Sequence, residues 1–400
     1  MKSYLIQTLV LLTFFLLVAS FNISGVRVLE DFEPVKVQKP RFFKSDSSWV
    51  DSVLGSLTLD QKIAQLLMIP AYSNRGEEHI EEVEHLISKY DVGGVIFFQG
   101  GPVRQARMTN AFQAAARTPL LISIDGEWGL AMRLDSTISY PRQMMLGAIG
   151  DDALIYQMGY DIGSQMKRLG VNINFAPVVD VNNNPENPVI NSRSFGEDRM
   201  NVARKGLMYA MGLQDAGVMP VYKHFPGHGD TDTDSHYGLP VIRHDMARLD
   251  SVELFPFKFG IRNGIPAIMS AHLHVPAIDS AENIPTSLSH KAIQELLKGT
   301  MGFEGLVITD ALNMKGASMG HKPGSLEAKA FLAGNDILLM PSDVPKAIAA
   351  IKREIKNGTI SEHDLDNRCR KILCAKAWAG LRHFNPVDTD SLVEDLNDPF

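Results

Sequence analysis

Short runs of consecutive apolar residues recur along the chain. Between them, apolar positions return every three or four residues. Eight such runs stand at Gln65–Ile69, Gly94–Phe98, Leu120–Ile124, Ile173–Val181, Pro220–His224, Ala267–Ser270, Leu306–Thr309 and Ile337–Met340. A run this short, without polar alternation, is the pattern of a parallel strand buried on both faces. The intervening stretches read as amphipathic helices. Trp49, Val50, Val53, Leu54, Leu57 and Leu59 fit one near the start, and Ser289 is placed to cap another carrying Lys291, Ala292, Ile293, Leu296 and Leu297. Strand–helix alternation implies βαβ units. Eight units over about 290 residues predict an α/β fold, a (β/α)8 TIM-type barrel in a single domain. A doubly wound open sheet is the alternative, weakened because no Gly-rich phosphate fingerprint follows the first run.

The two ends depart from this pattern. Lys2 precedes a mostly apolar stretch, Leu5–Val18, broken by Gln7, Thr8 and Thr13, and Val18, Ala19 and Ser20 follow it as a small-residue cleavage pattern. Residues 1–20 therefore read as a secretory signal peptide, short for the roughly 20 apolar residues of a membrane span. An uncleaved anchor is the alternative. The expectation is a periplasmic or secreted protein with no stable membrane insertion after cleavage. Residues 21–45 read as a linker, 46–382 as the barrel, and 383–400 as a C-terminal linker or tail, acidic at Asp395 and Asp398.

Composition narrows the classes. With 45% hydrophobic and 21% charged residues, the chain has ordinary globular usage, which excludes disordered and fibrous proteins. A formal net charge of −7 with no basic block argues against a nucleic-acid partner. Two cysteines, Cys369 and Cys374, exclude a disulfide scaffold or a Cys-rich metal site. They lie five apart in a helical pattern and read as buried free thiols.

Ionisable residues collect where the apolar runs end. The third run leads into Asp125 and Glu127, the fourth into Asp180 and Asn182–Asn184, and the fifth into Lys223 and His224. The sixth leads into His272 and His274, the seventh into Asp310, and the eighth into Asp343. C-terminal strand ends are where barrels build active sites. Helix capping explains one or two of the aspartates. It does not explain adjacent Lys223 and His224, or the pair His272 and His274.

The stretch Lys223-His224-Phe225-Pro226-Gly227-His228-Gly229-Asp230-Thr231-Asp232-Thr233-Asp234-Ser235-His236 admits three readings. A calcium loop fails, because Ser235 and Val241 stand where Gly and Glu are required. A zinc-type site from His224, His228, His236 and the aspartates, with His272 and His274, lacks a fixed ligand motif. Acid/base chemistry is the third: Asp234 two residues from His236 suits a carboxylate that orients an imidazole and stabilises its protonated form. A nucleophile is then needed. No Gly-x-Ser-x-Gly elbow is present. Asp310, after Leu306-Val307-Ile308-Thr309, is the best candidate, since a carboxylate there suits attack on an anomeric carbon. Taken alone, an Asp after a strand is equally a helix cap.

Five segments in order resemble family 3 glycoside hydrolases, and more narrowly their β-N-acetylglucosaminidase branch. They are the Lys223–Gly229 and Asp234–His236 stretch, Ile124–Gly129 with Arg133, Asn174–Asp180, Asn191–Gly196, and Ile308–Leu312. The resemblance covers roughly residues 46–382. It implies Asp310 as catalytic nucleophile, His236 as general acid/base, and Asp234 as the residue orienting it. It implies Asp125, Arg133, Arg193, Lys223 and His224 as hydrogen-bonding groups for a terminal N-acetylglucosamine. It further implies a retaining exo-β-N-acetylglucosaminidase with no metal or organic cofactor, acting on amino-sugar oligosaccharides from peptidoglycan or chitin. Trp128 and Leu130 depart from the branch pattern; Trp128 suits either stacking on a sugar or core packing. Many members carry a second α/β domain, so this chain is either a single-domain type or one module of a longer protein. Other readings are a β-glucosidase, a phosphorylase, a metal-dependent barrel hydrolase using His224, His236, His272 and His274, or a non-catalytic sugar-binding barrel. Residue by residue, His228 reads as a loop stabiliser, and Glu127 as support for Arg133 or a backbone amide. His272 and His274 read equally as pocket-wall or catalytic groups.

Overall fold

The computed structural model describes residues 37–398, apart from His236, Tyr237 and Met319. The expected signal peptide and most of the expected linker at 21–45 lie outside the described residues. Eight parallel strands form one sheet: β1 (Leu67–Tyr72), β2 (Gly94–Phe98), β3 (Leu121–Ile124), β4 (Ile173–Asn174), β5 (Met219–Phe225), β6 (Ala267–Ser270), β7 (Leu306–Thr309) and β8 (Leu338–Leu339). Their order is β7-β6-β5-β4-β3-β2-β1-β8, and every pairing is parallel. The β7–β8 seam is bridged at Ile308 and Ile337, where the Thr309 amide donates to the Ile337 carbonyl at 3.0 Å. This is the predicted (β/α)8 barrel, with helices around a ring of buried Val, Ile, Leu and Phe.

The first apolar run begins too early in the sequence reading. Gln65 still belongs to the turn closing helix Leu59–Ala64, and its amide donates to the Gln61 carbonyl; the strand runs instead to Tyr72. The fourth run stays buried through Val181 but leaves the ladder at Asn174. Pro177 has no N–H to offer a neighbour. Beyond Asn174 the Ala176 carbonyl still accepts the Val221 amide at 2.9 Å, and Val178 bridges to Lys223. The N-terminal amphipathic stretch is two helices, Ser47–Ser56 and Leu59–Ala64, the second started by a Thr58–Gln61 capping box. Ser289 caps as expected, accepting the Ala292 amide at 3.2 Å before helix Lys291–Thr300.

The stretch beyond Arg382 is not a free linker. It carries helix Leu392–Leu396, whose Leu392 and Leu396 are buried. Arg168 binds it through the Asp388 and Asp390 carbonyls at 2.6 and 3.1 Å and the Asp395 carboxylate at 2.8 Å. Asn110 and Val387 exchange two further hydrogen bonds. At the other end, Phe42, inside the expected linker, is buried. Among the described residues, no helix is long and apolar enough to cross a membrane.

Candidate active site

The C-terminal strand ends open into a cavity of about 450 Å³, within the range of small-ligand sites. Asp125, Arg133, Arg193, Lys223, His224 and Asp310 all line it. Six of the eight residues singled out from the sequence are therefore brought together at the expected end of the barrel. Lys223 and His224 are consecutive, yet both face the cavity, because the β5–β6 register shifts between Tyr222 and Phe225 and breaks the strand's alternation.

Glu127 organises the cationic wall. Its Oε1 accepts from Arg193 Nη2 at 2.7 Å and pairs with Lys223 Nζ at 2.7 Å, while Oε2 accepts from Arg193 Nε at 3.0 Å. The partners are Arg193 and Lys223, not the Arg133 expected from the sequence. Burial works against the Glu127 charge, but Arg193 and Lys223 hold the carboxyl far below the usual range. Asp125 bridges the same wall: Oδ1 accepts from Lys223 at 3.0 Å and Oδ2 from Arg133 at 2.7 Å. Burial opposes its charge too, and Lys223 and Arg133 outweigh it and keep the carboxyl low. Arg133 also lies over the Phe98 ring at 4.9 Å. Its buried Nε has no partner among the described residues, leaving a donor at the cavity.

His224 is held from behind. Arg193 can only donate, so His224 Nε2, 3.3 Å from Arg193 Nη2, accepts, and Nδ1 donates to Asp180 at 2.7 Å. Asp180 Oδ1 also accepts the amides of His224 and His228 at 3.1 and 2.7 Å. Asp180 thus positions His224 on β5 and His228 in the loop after it, a role its place at a strand end does not reveal.

Asp310 follows β7, and its Oδ1 accepts the Ala311 amide at 2.8 Å. Burial pushes its carboxyl up, but His272, His224, the Ala311 amide and Lys223 together bring it below the ordinary value. His272 donates from Nε2 to the Ala311 carbonyl at 3.0 Å, and its Nδ1 shares a hydrogen bond with the Ser287 hydroxyl at 2.7 Å. It fixes the chain just after Asp310. His274 Nδ1 lies 3.4 Å from the Ile284 carbonyl, and the residue is not part of the cavity wall. Of the described residues in the alternative metal set, His224 and His272 hydrogen-bond other partners and His274 is not part of the cavity wall.

The loop after β5 closes one side. A Cβ on Gly229 would stand 1.9 Å from the Val181 carbonyl oxygen, so only glycine fits there. His228 stabilises the loop as expected, through Thr231 Oγ1 at 2.7 Å and Ser235 Oγ at 3.4 Å. Ser235 lines the cavity, and its carbonyl accepts from Gly316 at 3.0 Å, tying the loop to the segment that follows Asp310. Asp234 is the residue before Ser235; His236 lies outside the described residues. Trp128 does not line the cavity and instead receives the Arg142 guanidinium on its ring at 4.4 Å. The aromatic wall is Tyr72 and Phe98, stacked at 5.3 Å; the sequence pattern places Phe98 in a buried strand and ends the first run before Tyr72. Asp343 is a plain helix cap, accepting the Lys346 amide at 2.9 Å.

Comparison with known proteins follows the same lines. Residues 58–375 match the model of the glycosyl hydrolase family 3 N-terminal domain. Beta-hexosaminidase A of Pseudoalteromonas piscicida is 39% identical over 283 residues, 65% of this chain and 47% of that protein, so the chain spans about half the length of that relative. Beta-hexosaminidase LpqI of Mycobacterium tuberculosis is 31% identical over 355 residues, 86% of this chain and 88% of that protein. A solved family 3 beta-N-acetylglucosaminidase from Paenibacillus sp. superposes with a TM-score of 0.78 at 37% identity, covering 85% of this chain and 68% of that one. A family match over most of the barrel, on the fold and cavity described, leads to one conclusion: the chain belongs to glycosyl hydrolase family 3.

Proposed function

We propose that the protein is a retaining exo-β-N-acetylglucosaminidase that removes a terminal N-acetylglucosamine from an amino-sugar oligosaccharide. The observation that carries this reading is the placement of Asp310 in a small cavity that it shares with hydrogen-bonding charged groups, two aromatic rings and aliphatic side chains. Asp125, Arg133, Arg193, Lys223 and His224 offer the donors and acceptors that sugar hydroxyls and an acetamido group need. The names of the similar hexosaminidases support the sugar class.

In this reading Asp310, ionised at neutral pH, attacks the anomeric carbon as the bond to the leaving oxygen breaks. His236, oriented by Asp234, gives that oxygen a proton. A glycosyl ester of Asp310 results. His236 then takes a proton from water, the water attacks the same carbon, and Asp310 leaves with the configuration retained. Such a site needs no metal. The expected secretory signal at residues 1–20 goes with substrates outside the cytoplasm, peptidoglycan fragments or chitin oligosaccharides.

The test is the initial rate on an aryl β-N-acetylglucosaminide against the matching β-glucoside, with EDTA, with and without phosphate. Preference for the N-acetyl sugar, free sugar as product, and loss of turnover in Asp310→Asn with binding retained are expected. Equal rates on both sugars, or a sugar 1-phosphate product, would overturn the assignment.

A further inference from the structure

Outside the cavity wall, three metal-ligating side chains converge beneath the loop that carries Asp234. One ligand atom each from Asp230, His244 and Glu253 lies within 4.8 Å of the other two. Asp230 comes from the loop after β5, His244 from the extended segment before helix Met246–Ser251, and Glu253 from just after that helix. Glu253 is 1% exposed. Its Oε1 accepts from Arg248 at 3.1 Å and Asn183 at 3.5 Å. Its Oε2 is buried and has no hydrogen-bond partner among the described residues. A buried carboxylate oxygen without a donor is costly, and in a native structure it asks for an explanation.

We propose that Asp230, His244 and Glu253 form a structural site for a zinc-type divalent metal ion, distinct from the sugar cavity. The donor set, one imidazole and two carboxylates, is one that zinc accepts with water as fourth ligand. At bond lengths of about 2.1 Å, tetrahedral ligand atoms stand about 3.4 Å apart, so the side chains need to close by little more than 1 Å. Asp230 Oδ2 and His244 Nε2 are already in hydrogen-bond contact. Metal binding at Nε2 moves the ring proton to Nδ1 and breaks that bond. Asp230 and His244 side chains are 24% and 32% exposed, which gives the ion a way in, while Glu253 forms the floor. The two carboxylates balance the ion's charge. Arg248 occupies Oε1 of Glu253, and Oε2 is the oxygen without a partner among the described residues.

The site's effect follows from its position. Gly227, at a φ of 130°, turns directly above Glu253, and a Cβ there would meet Glu253 Cβ at 3.0 Å. An ion bound below would tie the loop to the segment spanning 241–253 and so limit the travel of Asp234, four residues after Asp230. The ion supports the loop and takes no part at the sugar.

The test uses the full chain stripped with EDTA, then dialysed against Zn²⁺, with bound metal measured by elemental analysis. Co²⁺ absorption serves as a second probe of tetrahedral coordination. One ion per chain is expected, with affinity reduced at least about tenfold in His244→Ala and in Glu253→Gln. His236→Ala should bind as the parent does, which separates this site from metal captured at the Asp234–His236 pair. His244 is partly exposed, so its variant is expected to fold, and circular dichroism checks this. Absence of stoichiometric binding overturns the proposal. So does binding that His244→Ala and Glu253→Gln leave unchanged, or that His236→Ala abolishes.

Discussion

Replacing Glu127 by Gln tests whether the cationic wall of the cavity depends on one buried carboxylate. Glu127 is 1% exposed and meets three donors at 2.7–3.0 Å, two from Arg193 and one from Lys223. Glutamine keeps the size but removes the charge, and its amide group turns N–H toward a guanidinium or an ammonium. Lys223 retains Asp125, but Arg193 loses its only carboxylate contact within salt-bridge distance among the described residues. Breaking a buried pair in this way costs about 3–5 kcal/mol. For a folded unit of about 360 residues, unfolding entropy near 2.1 cal/mol/K per residue converts this to a fall in Tm of about 4–7 °C. The same change loosens Arg193 and, through it, His224 Nε2, so KM for the aryl β-N-acetylglucosaminide should rise more than kcat falls. Thermal unfolding by calorimetry and initial rates on that substrate measure the two effects. Glu82→Gln is the control: its side chain is 74% exposed, and surface changes stay within about 0.5 kcal/mol. A Tm for Glu127→Gln within about 1 °C of the control, together with a parental KM, would refute the reasoning.

Burial holds the His228 imidazole down to about 4, against 6.5 when unfolded. The unfolded chain therefore binds the proton first, so stability is full above pH 6.5 and falls as pH drops toward 4, by up to about 3 kcal/mol. Urea midpoints across that window should slope less in His228→Gln than in the parent, and parallel slopes would remove His228 from the account. Arg168→Ala removes the contacts to Asp388, Asp390 and Asp395 and should cost about 1 kcal/mol, with limited proteolysis nicking the C-terminal segment before the barrel; unchanged cleavage would make that docking dispensable. Burial pushes the Cys369 thiol up to about 12, so a thiol reagent at pH 8 should label it only after unfolding, whereas Cys374, read as buried from the sequence, is only half-buried. Rapid labelling of Cys369 in the native protein would contradict its burial.

What the chain discloses before folding depends on whether a signal is carried by neighbours in sequence or by partners far away. Gly94–Phe98, Ala267–Ser270 and Leu306–Thr309 are strands at the bounds their apolar runs suggest, because each is buried on both faces and paired throughout. Ile173–Val181 is equally buried but is a strand only over Ile173–Asn174, with one further bridge at Val178, since hydropathy records burial and not the ladder. The same division runs through the site. Asp125, Arg133, Arg193, Lys223, His224 and Asp310 could be named in advance because local motifs carry them. Asp180 shows in the sequence only as an acid at a strand end, and Glu127 as support for Arg133 or a backbone amide. Their work is defined by Arg193, 66 residues from Glu127, and by His224, 44 residues from Asp180, and no local pattern encodes those separations. Leu392 and Leu396 sit in an acidic tail that reads as solvated until Arg168 is found beside it. Asp230 belongs to an alternating acidic run that reads as a failed calcium loop, and only folding brings it to His244 and Glu253. Residues that face the ligand can be recognised locally because chemistry demands their type and order. Those that hold them in place are free to arrive from anywhere in the chain, and that is where substitutions at Glu127, Asp180 and Glu253 will separate positioning from catalysis.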